Sequence, residues 1–242
     1  MTIKYFSAAE PNTPFAPNFK IPIYYGQAND GRFMGFLSQH IRDLEKNYIS
    51  KEELISEVPK SQLDPIEFTQ HWKQHNIVGD IALETDPVGF RRFPGNFTSE
   101  RLFNLIRHHY LTYLDMLNFE RRKVYIHTWA NVLRAGEYIS PHTHDQSCNG
   151  YLSCNIFVTA SDANFILEKE SNNVIIASDP GVILFWPSCL SHHTDAHNGK
   201  LERITISSDI VVPEYAKEQP HRPYRLLDDP ETMPGLYDEE IE

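Results

Sequence analysis

Between residues 124 and 212 the chain is a succession of short β-rich runs, and this succession restricts the available folds more than any other feature. The runs cover 124–133, 151–159, 164–167, 174–177, 182–186 and 204–212, and they are parted by Gly, Pro, Asn, Asp or Ser. β-branched and aromatic residues fit a pleated backbone, whereas the intervening residues favour turns. Many short strands at close spacing indicate a sandwich or a barrel. The expected class is therefore mainly β with flanking α-helices.

The chain before these strands divides by composition. Residues 1–30 carry Pro11, Pro14, Pro17 and Pro22 around aromatic residues, which suits an extended arm that docks onto a core. Residues 31–123 form a helical and loop support region. From Gly31, the apolar residues Phe33, Phe36, Leu37, Ile41 and Leu44 follow helical spacing, and shorter helical stretches are expected at 51–58 and 65–74. Residues 76–84 alternate like a strand, and 87–95 read as loop. The clearest helix follows, with Ser99 as N-cap, Glu100 in the first turn, and Leu102, Leu105, Ile106, Tyr113, Met116 and Leu117 on one face. Such a face should back onto a sheet. Beyond 212 the chain turns Pro-rich and acidic, and 213–242 is expected as an extended wrap or a partly disordered tail on a single domain.

Charge excludes one class of partner. With 22 Lys and Arg against 33 Asp and Glu, the net charge of −11 repels polyanions, so nucleic acid is not expected as a ligand. The densest basic run, Arg121-Arg122-Lys123, stands beside Glu120 and reads as a solvated helix end. Cys148, Cys154 and Cys189 form no C-x-x-C pair and suggest a reducing compartment. No signal-like start and no run of about eighteen apolar residues occurs. A cytoplasmic protein with no membrane partner is the expectation.

The 12 histidines are unevenly placed, with several crowded between 142 and 197. Side chains alternate faces along a strand, so His142 and His144 point the same way and Thr143 the other. Two imidazoles can then converge on one ion. A further candidate is His192, in Gly181-x5-Pro187-x4-His192, where a buried strand runs into a Pro-anchored turn. Segments this far apart in sequence can face one cavity in a closed barrel. Three neutral imidazoles suit Fe, Zn, Ni or Cu better than Mg or Ca. His193 and His197 read as solvated loop residues, and the remaining histidines lack partner spacing.

Arg203 lies 11 positions after His192, and Arg203, Thr205 and Ser207 share one strand face opposite Ile204 and Ile206. An arginine on an interior face carries a desolvation cost unless an anion meets it. A guanidinium beside a hydroxyl suits a carboxylate, and the competing explanation is a structural salt bridge to a buried acid.

These residues fall into blocks: Trp129-Ala130-Asn131-Val132, Pro141-His142-Thr143-His144, Leu152-Ser153-Cys154, Phe185-Trp186-Pro187-Ser188-Cys189-Leu190-Ser191-His192 and Glu202-Arg203-Ile204-Thr205-Ile206-Ser207. In order and spacing they resemble the Fe(II)/2-oxoglutarate-dependent oxygenase family, over residues 124–212, and more distantly the cupins. The resemblance implies a double-stranded β-helix (jelly-roll, cupin-like) core, with Fe(II), 2-oxoglutarate as cosubstrate, and O2. It implies that His142 and His192 bind iron, and that Arg203 holds the distal carboxylate of 2-oxoglutarate with Thr205 as a supporting hydroxyl. Asn131 could reach cosubstrate or substrate, and Tyr138, Tyr151 and Asn155 are weaker pocket candidates. The implied reaction releases succinate and CO2 and oxidises a bound small-molecule or amino-acid-like substrate, hydroxylation being the default outcome.

One position departs from the family pattern. The usual metal triad is two histidines and a carboxylate arranged H-x-D/E. Here His144 stands in the carboxylate position and Asp145 one residue later. Either His144 completes a three-histidine site, as strand parity favours, or a bulge presents Asp145, which could otherwise support a ligand imidazole from behind. Two other functions remain open: a cupin-like three-histidine zinc or iron enzyme that does not use 2-oxoglutarate, and a non-enzymatic binding barrel. Homodimerisation through the N-terminal arm is a further expectation.

Overall fold

The computed structural model describes residues 1–6, 20–55, 91–94, 100–144, 151–168, 173–218 and 224–236. The helix expected at 65–74, the strand at 76–84, the Ser99 cap and Asp145 lie outside the described residues.

The strands of the core are β4 (Val124–Leu133), β5 (Leu152–Phe157), β6 (Ser161–Leu167), β7 (Val174–Ser178), β8 (Val182–Pro187), β9 (His192–Thr194) and β10 (Arg203–Val211). Two N-terminal strands, β1 (Thr2–Phe6) and β2 (Ile21–Gln27), precede them, and β3 (Arg91–Pro94) and β11 (Arg225–Asp228) flank β4. The large sheet runs β1-β2-β8-β5-β10-β4-β11 and the small one β7-β6-β9. All pairings are antiparallel. A single antiparallel bridge, His142 to His192, adds the chain at 142 to the open edge of the small sheet. From β4 onward the chain passes to 142 in the small sheet, back to β5, across to β6 and β7, back to β8, across to β9 and back to β10. That alternation between two facing sheets is a double-stranded β-helix.

The strict two-residue period of the central strands creates two cores. Even-numbered residues of β10 and β4 (Ile204, Ile206, Ile210, Ala130, Val132) and the matching Ile156, Ile183 and Phe185 face outward. There they meet α1 (Gly31–Ile55) through Phe33, Leu37 and Ile41, and α2 (Glu100–Leu117) through Leu102, Ile106, Tyr110 and Leu114. The opposite face encloses Phe157, Phe165, Leu184, Trp186 and Leu190 between the sheets. Since β10 is covered on both faces, all its residues are buried. Helix α2 stops at Asn118, whose φ of 53° is left-handed. The Phe119 N–H returns to the Leu114 carbonyl at 2.9 Å and the Asn118 N–H to Asp115 at 3.0 Å, a Schellman closure. Gly181 turns β7 into β8 at φ 83°, and a Cβ there would meet the Ala28 carbonyl oxygen at 2.4 Å. Among the described residues no helix is long and apolar enough to cross a membrane.

Several expectations change. Arg91–Pro94, read as loop, pairs with β4, because the loop signals at Pro87 and Pro94 bracket a run that can still form an edge strand. The C-terminal segment is more than a wrap: it forms the short helix α3 (Pro213–Glu218) and β11. Arg122 and Lys123 are exposed as expected, but Arg121 is not a solvated end and Lys123 is ion-paired. Arg121 grips the fully buried Asp228 through Nε and Nη2 at 3.0 and 2.8 Å, Arg107 reaches the same carboxylate at 2.9 Å, and Lys123 meets Asp229 at 2.7 Å. A buried carboxylate needs such partners, and here they clasp β11 to the sheet.

A buried histidine makes the fold sensitive to acid. His109, 2% exposed on α2, sits with Nδ1 2.6 Å from the Tyr24 hydroxyl. Burial, helped by His108 and the chain's amino terminus, pushes its imidazole down to about 4. The unfolded chain takes up this proton near 6.5, whereas the folded chain refuses it until about 4. The contribution to stability is therefore complete above pH 6.5 and is lost as pH falls toward 4, by up to about 3 kcal/mol. Urea unfolding between pH 7 and 4 should show this slope, and His109→Gln should flatten part of it. Identical slopes for both proteins would refute the assignment.

Candidate metal centre and its cavity

The three candidate histidines, His142 and His144 paired by strand parity and His192 placed by its Pro-anchored turn, come together. His142 and His192 exchange both main-chain hydrogen bonds, N–H to O, at 3.0 and 2.9 Å, and this directly opposed pair puts both side chains on one face. His144 follows two residues later on the same face, its N–H donating to the Ser188 carbonyl at 3.1 Å. The His142 and His192 ring centroids are 4.3 Å apart, and those of His144 and His192 4.8 Å. One nitrogen from each ring lies within 4.8 Å of the others, and His142 Nε2 and His144 Nε2 are 3.2 Å apart. Two nitrogens bound at about 2.1 Å to one first-row ion lie roughly 3.0–3.4 Å apart, so the His142–His144 pair has that spacing and the His192 nitrogen would close in from within 4.8 Å.

The far side of each ring is held. His142 Nδ1 donates to the Ser140 carbonyl at 2.8 Å and His192 Nδ1 to the Leu190 carbonyl at 3.0 Å. Nδ1 then carries the proton and Nε2 keeps its lone pair. Burial pushes His192 well below the usual histidine range, with His144 and His142 adding to the shift, so the ring is neutral and able to bind a metal. His144 Nδ1 meets Asp209 Oδ1 at 2.5 Å and Ser153 Oγ at 2.9 Å.

The rings open onto a cavity of about 240 Å³ between the two sheets. That is slightly smaller than the ~300–1,000 Å³ of drug-sized sites and suits an ion with a small organic ligand. Arg203, 1% exposed, lines it with Thr205, Asn131, Asn155 and Ser207. The Arg203 Nε donates to Ser178 Oγ at 3.2 Å, and its guanidinium carbon is 5.5 Å from the Phe157 ring centre. Burial pushes its pKa down to about 10, which leaves it charged at neutral pH. Its Nη1 has no hydrogen-bond partner among the described residues. Among the described residues no carboxylate pairs with Arg203. A buried cation with an open donor is matched by an anion arriving in the cavity.

An amide–hydroxyl chain runs beside it. Asn131 Nδ2 donates to Ser207 Oγ at 2.9 Å, and Ser207 Oγ to Asn155 Oδ1 at 2.9 Å, because Asn131, Ser207 and Asn155 stand on the same inner face of β4, β10 and β5. Asn155 Nδ2 and Trp186 Nε1, both on the cavity, also lack partners among the described residues.

The remaining sequence candidates divide. Tyr138 is not among the residues lining the cavity. Tyr151 packs with the outer core, its hydroxyl 3.4 Å from that of Tyr110 beneath α2. His197, expected as a solvated loop residue, is buried. Its Nδ1 lies 2.8 Å from Asp162 and 3.0 Å from Ser161, and its Nε2 meets the Leu201 carbonyl at 2.6 Å, so it ties down the turn ahead of Arg203. Asp209, Ser153, Phe165 and Trp186 belong to the site and were not singled out. Asp209 shares the odd-numbered face of Arg203, Thr205 and Ser207, and following that parity one step further along β10 would have found it.

No family model matches the chain, and no curated protein does. Similar solved structures include an oxidoreductase of the 2OG-Fe(II) oxygenase family from Burkholderia pseudomallei, at 16% identity and a TM-score of 0.42, covering 50% of this chain and 65% of that one. The chain thus spans slightly less than two thirds of that protein's length. A prolyl-4-hydroxylase from Pseudomonas putida matches at 9% identity and a TM-score of 0.41, covering 60% of this chain and 82% of that one. HygX from Streptomyces hygroscopicus, with nickel and 2-oxoglutarate bound, matches at 9% identity and a TM-score of 0.42, covering 51% and 70%. What this chain has in common with them is the double-stranded β-helix.

Proposed function

We propose that this protein is an Fe(II)- and 2-oxoglutarate-dependent oxygenase acting on a small-molecule or amino-acid-like substrate. The carrying observation is one cavity that holds both a three-imidazole cluster and a buried, charged arginine with an unused donor. His142, His144 and His192 would hold the metal through Nε2, and Arg203 would take the distal carboxylate of 2-oxoglutarate. Thr205, on the same face one step along β10, would donate its hydroxyl to that carboxylate.

When bound, Fe(II) with 2-oxoglutarate and O2 supplies the oxidation: the oxoacid leaves as succinate and CO2 while one oxygen atom enters a C–H bond of the substrate. The chain's own residues bind, orient and keep water out. Ser178 and the Phe157 ring fix the arginine fork, so a carboxylate meets a preorganised partner. Phe165, Trp186 and Trp129 form the apolar part of the lining and keep the reacting centre dry. Asn131 is held by Ser207 with its amide on the cavity, where it orients cosubstrate or substrate.

Adding 2-oxoglutarate to the anaerobic Fe(II)-loaded protein should produce a visible metal-to-ligand charge-transfer band. Succinate should form only when Fe(II), 2-oxoglutarate and O2 are all present. Absence of the band from protein that has taken up Fe(II) would sink the proposal. The third imidazole favours one competing function, a three-histidine metalloenzyme that dispenses with 2-oxoglutarate. In that case Arg203→Ala would leave activity intact.

A further inference from the structure

The three rings are anchored unequally. His142 and His192 each rest on a main-chain carbonyl, a neutral acceptor fixed by the local turn. His144 instead rests on a side-chain carboxylate from another strand, Asp209 Oδ1 at 2.5 Å, with Ser153 Oγ at 2.9 Å from the same nitrogen. Asp209 and Ser153 are directly opposed on β10 and β5, so the carboxylate and the hydroxyl reach the ring from one inner face. Asp209 is 6% exposed. A carboxylate this buried is costly unless positive charge or several donors compensate it. A divalent ion on the Nε2 side of the same ring would balance the charge through the ring.

We infer that Asp209 is a positioning residue for the metal: it orients His144 and strengthens Nε2 as a donor, carrying the negative charge that a carboxylate ligand would otherwise bring. The inference rests on the proposed metal site. The two-histidine, one-carboxylate set bears one negative charge on the ligands themselves. Here a hydrogen-bonded His144–Asp209 pair that shares one proton bears the same charge, with the carboxylate withdrawn one residue from the ion. Hydrogen-bonded carboxylates behind ligand histidines raise ligand basicity and fix the tautomer.

The test is Co(II) binding to the otherwise metal-free full chain, followed by titration and by the visible Co(II) spectrum. Wild type is compared with Asp209→Asn, which keeps an acceptor but no charge, and Asp209→Ala, which keeps neither. Loss of such a partner typically costs 10- to 100-fold in metal affinity. Asp209→Ala should weaken Co(II) binding within about that range and shift the Co(II) bands, with Asp209→Asn intermediate. Each titration is run at a temperature where circular dichroism shows that variant folded, so lost stability does not pass for lost affinity. Wild-type affinity and spectrum in folded Asp209→Asn and Asp209→Ala would overturn the inference and leave the metal site standing. Failure of the wild type itself to take up Co(II) would overturn both.

Discussion

Replacing His192 by Gln is expected to weaken Fe(II) or Co(II) binding by two orders of magnitude or more and to abolish 2-oxoglutarate turnover. Apparent binding free energies of about 10–16 kcal/mol for four-ligand zinc sites correspond to roughly 2.5–4 kcal/mol per ligand, and each 1.4 kcal/mol is tenfold. His192 should show the full effect because its ring is rigidly held. It is 4% exposed, packed on Trp186 and Phe165 with ring centroids 5.0 and 5.4 Å away, and held by the bridge to His142. Gln keeps most of the volume, so the metal-free variant should stay folded and its melting curve can be compared directly with wild type. Stoichiometric, tight metal in folded His192→Gln would remove His192 from the donor set.

Arg203→Met should separate ligand binding from stability, with opposite signs. Truncating one partner of a buried, hydrogen-bonded charge pair costs about 2–5 kcal/mol, so 2-oxoglutarate affinity of the metal-loaded protein should fall thirtyfold or more. Without ligand, the guanidinium is buried, has an open Nη1 and meets no carboxylate among the described residues. Removing such a charge in favour of an apolar side chain of similar length is neutral or stabilising. The ligand-free variant should therefore unfold at the same or higher urea concentration than wild type, while added 2-oxoglutarate no longer raises its melting temperature. Arg203→Lys keeps the charge without the fork and should fall between the two. Marked destabilisation of ligand-free Arg203→Met would mean that the arginine serves the fold.

Much of this site was legible from a single rule, the two-residue period of strands. It puts His142 with His144 and Arg203 with Thr205, and it sorts Ile204 and Ile206 to the outer core. The same rule carried past Ser207 reaches Asp209, whose partner His144 could not be anticipated because the two are 65 residues apart in sequence. Tyr151 shows the limit in the other direction. It stands at the edge of a strand whose inner residues line the cavity, yet it turns to Tyr110 on α2, a contact decided by how the helix lies on the sheet. Likewise the basic residues after α2 looked solvated because their partners, Asp228 and Asp229, return from more than a hundred positions away.

The sequence by itself determined which residues face which way, since alternation along a strand is a local property of the backbone. The succession of short strands marked the β class, and parity together with the Pro-anchored turn nominated three histidines and one arginine. Tertiary structure alone decided what those side chains meet. The bridge between His142 and His192 joins two segments across the small sheet and turns separate histidines into one cluster. The pairing of β10 with β4 and β5 sets Asn131, Ser207 and Asn155 in a row and puts Asp209 behind His144. Such contacts depend on register between distant strands, which the burial of one whole face selects and which no local pattern encodes.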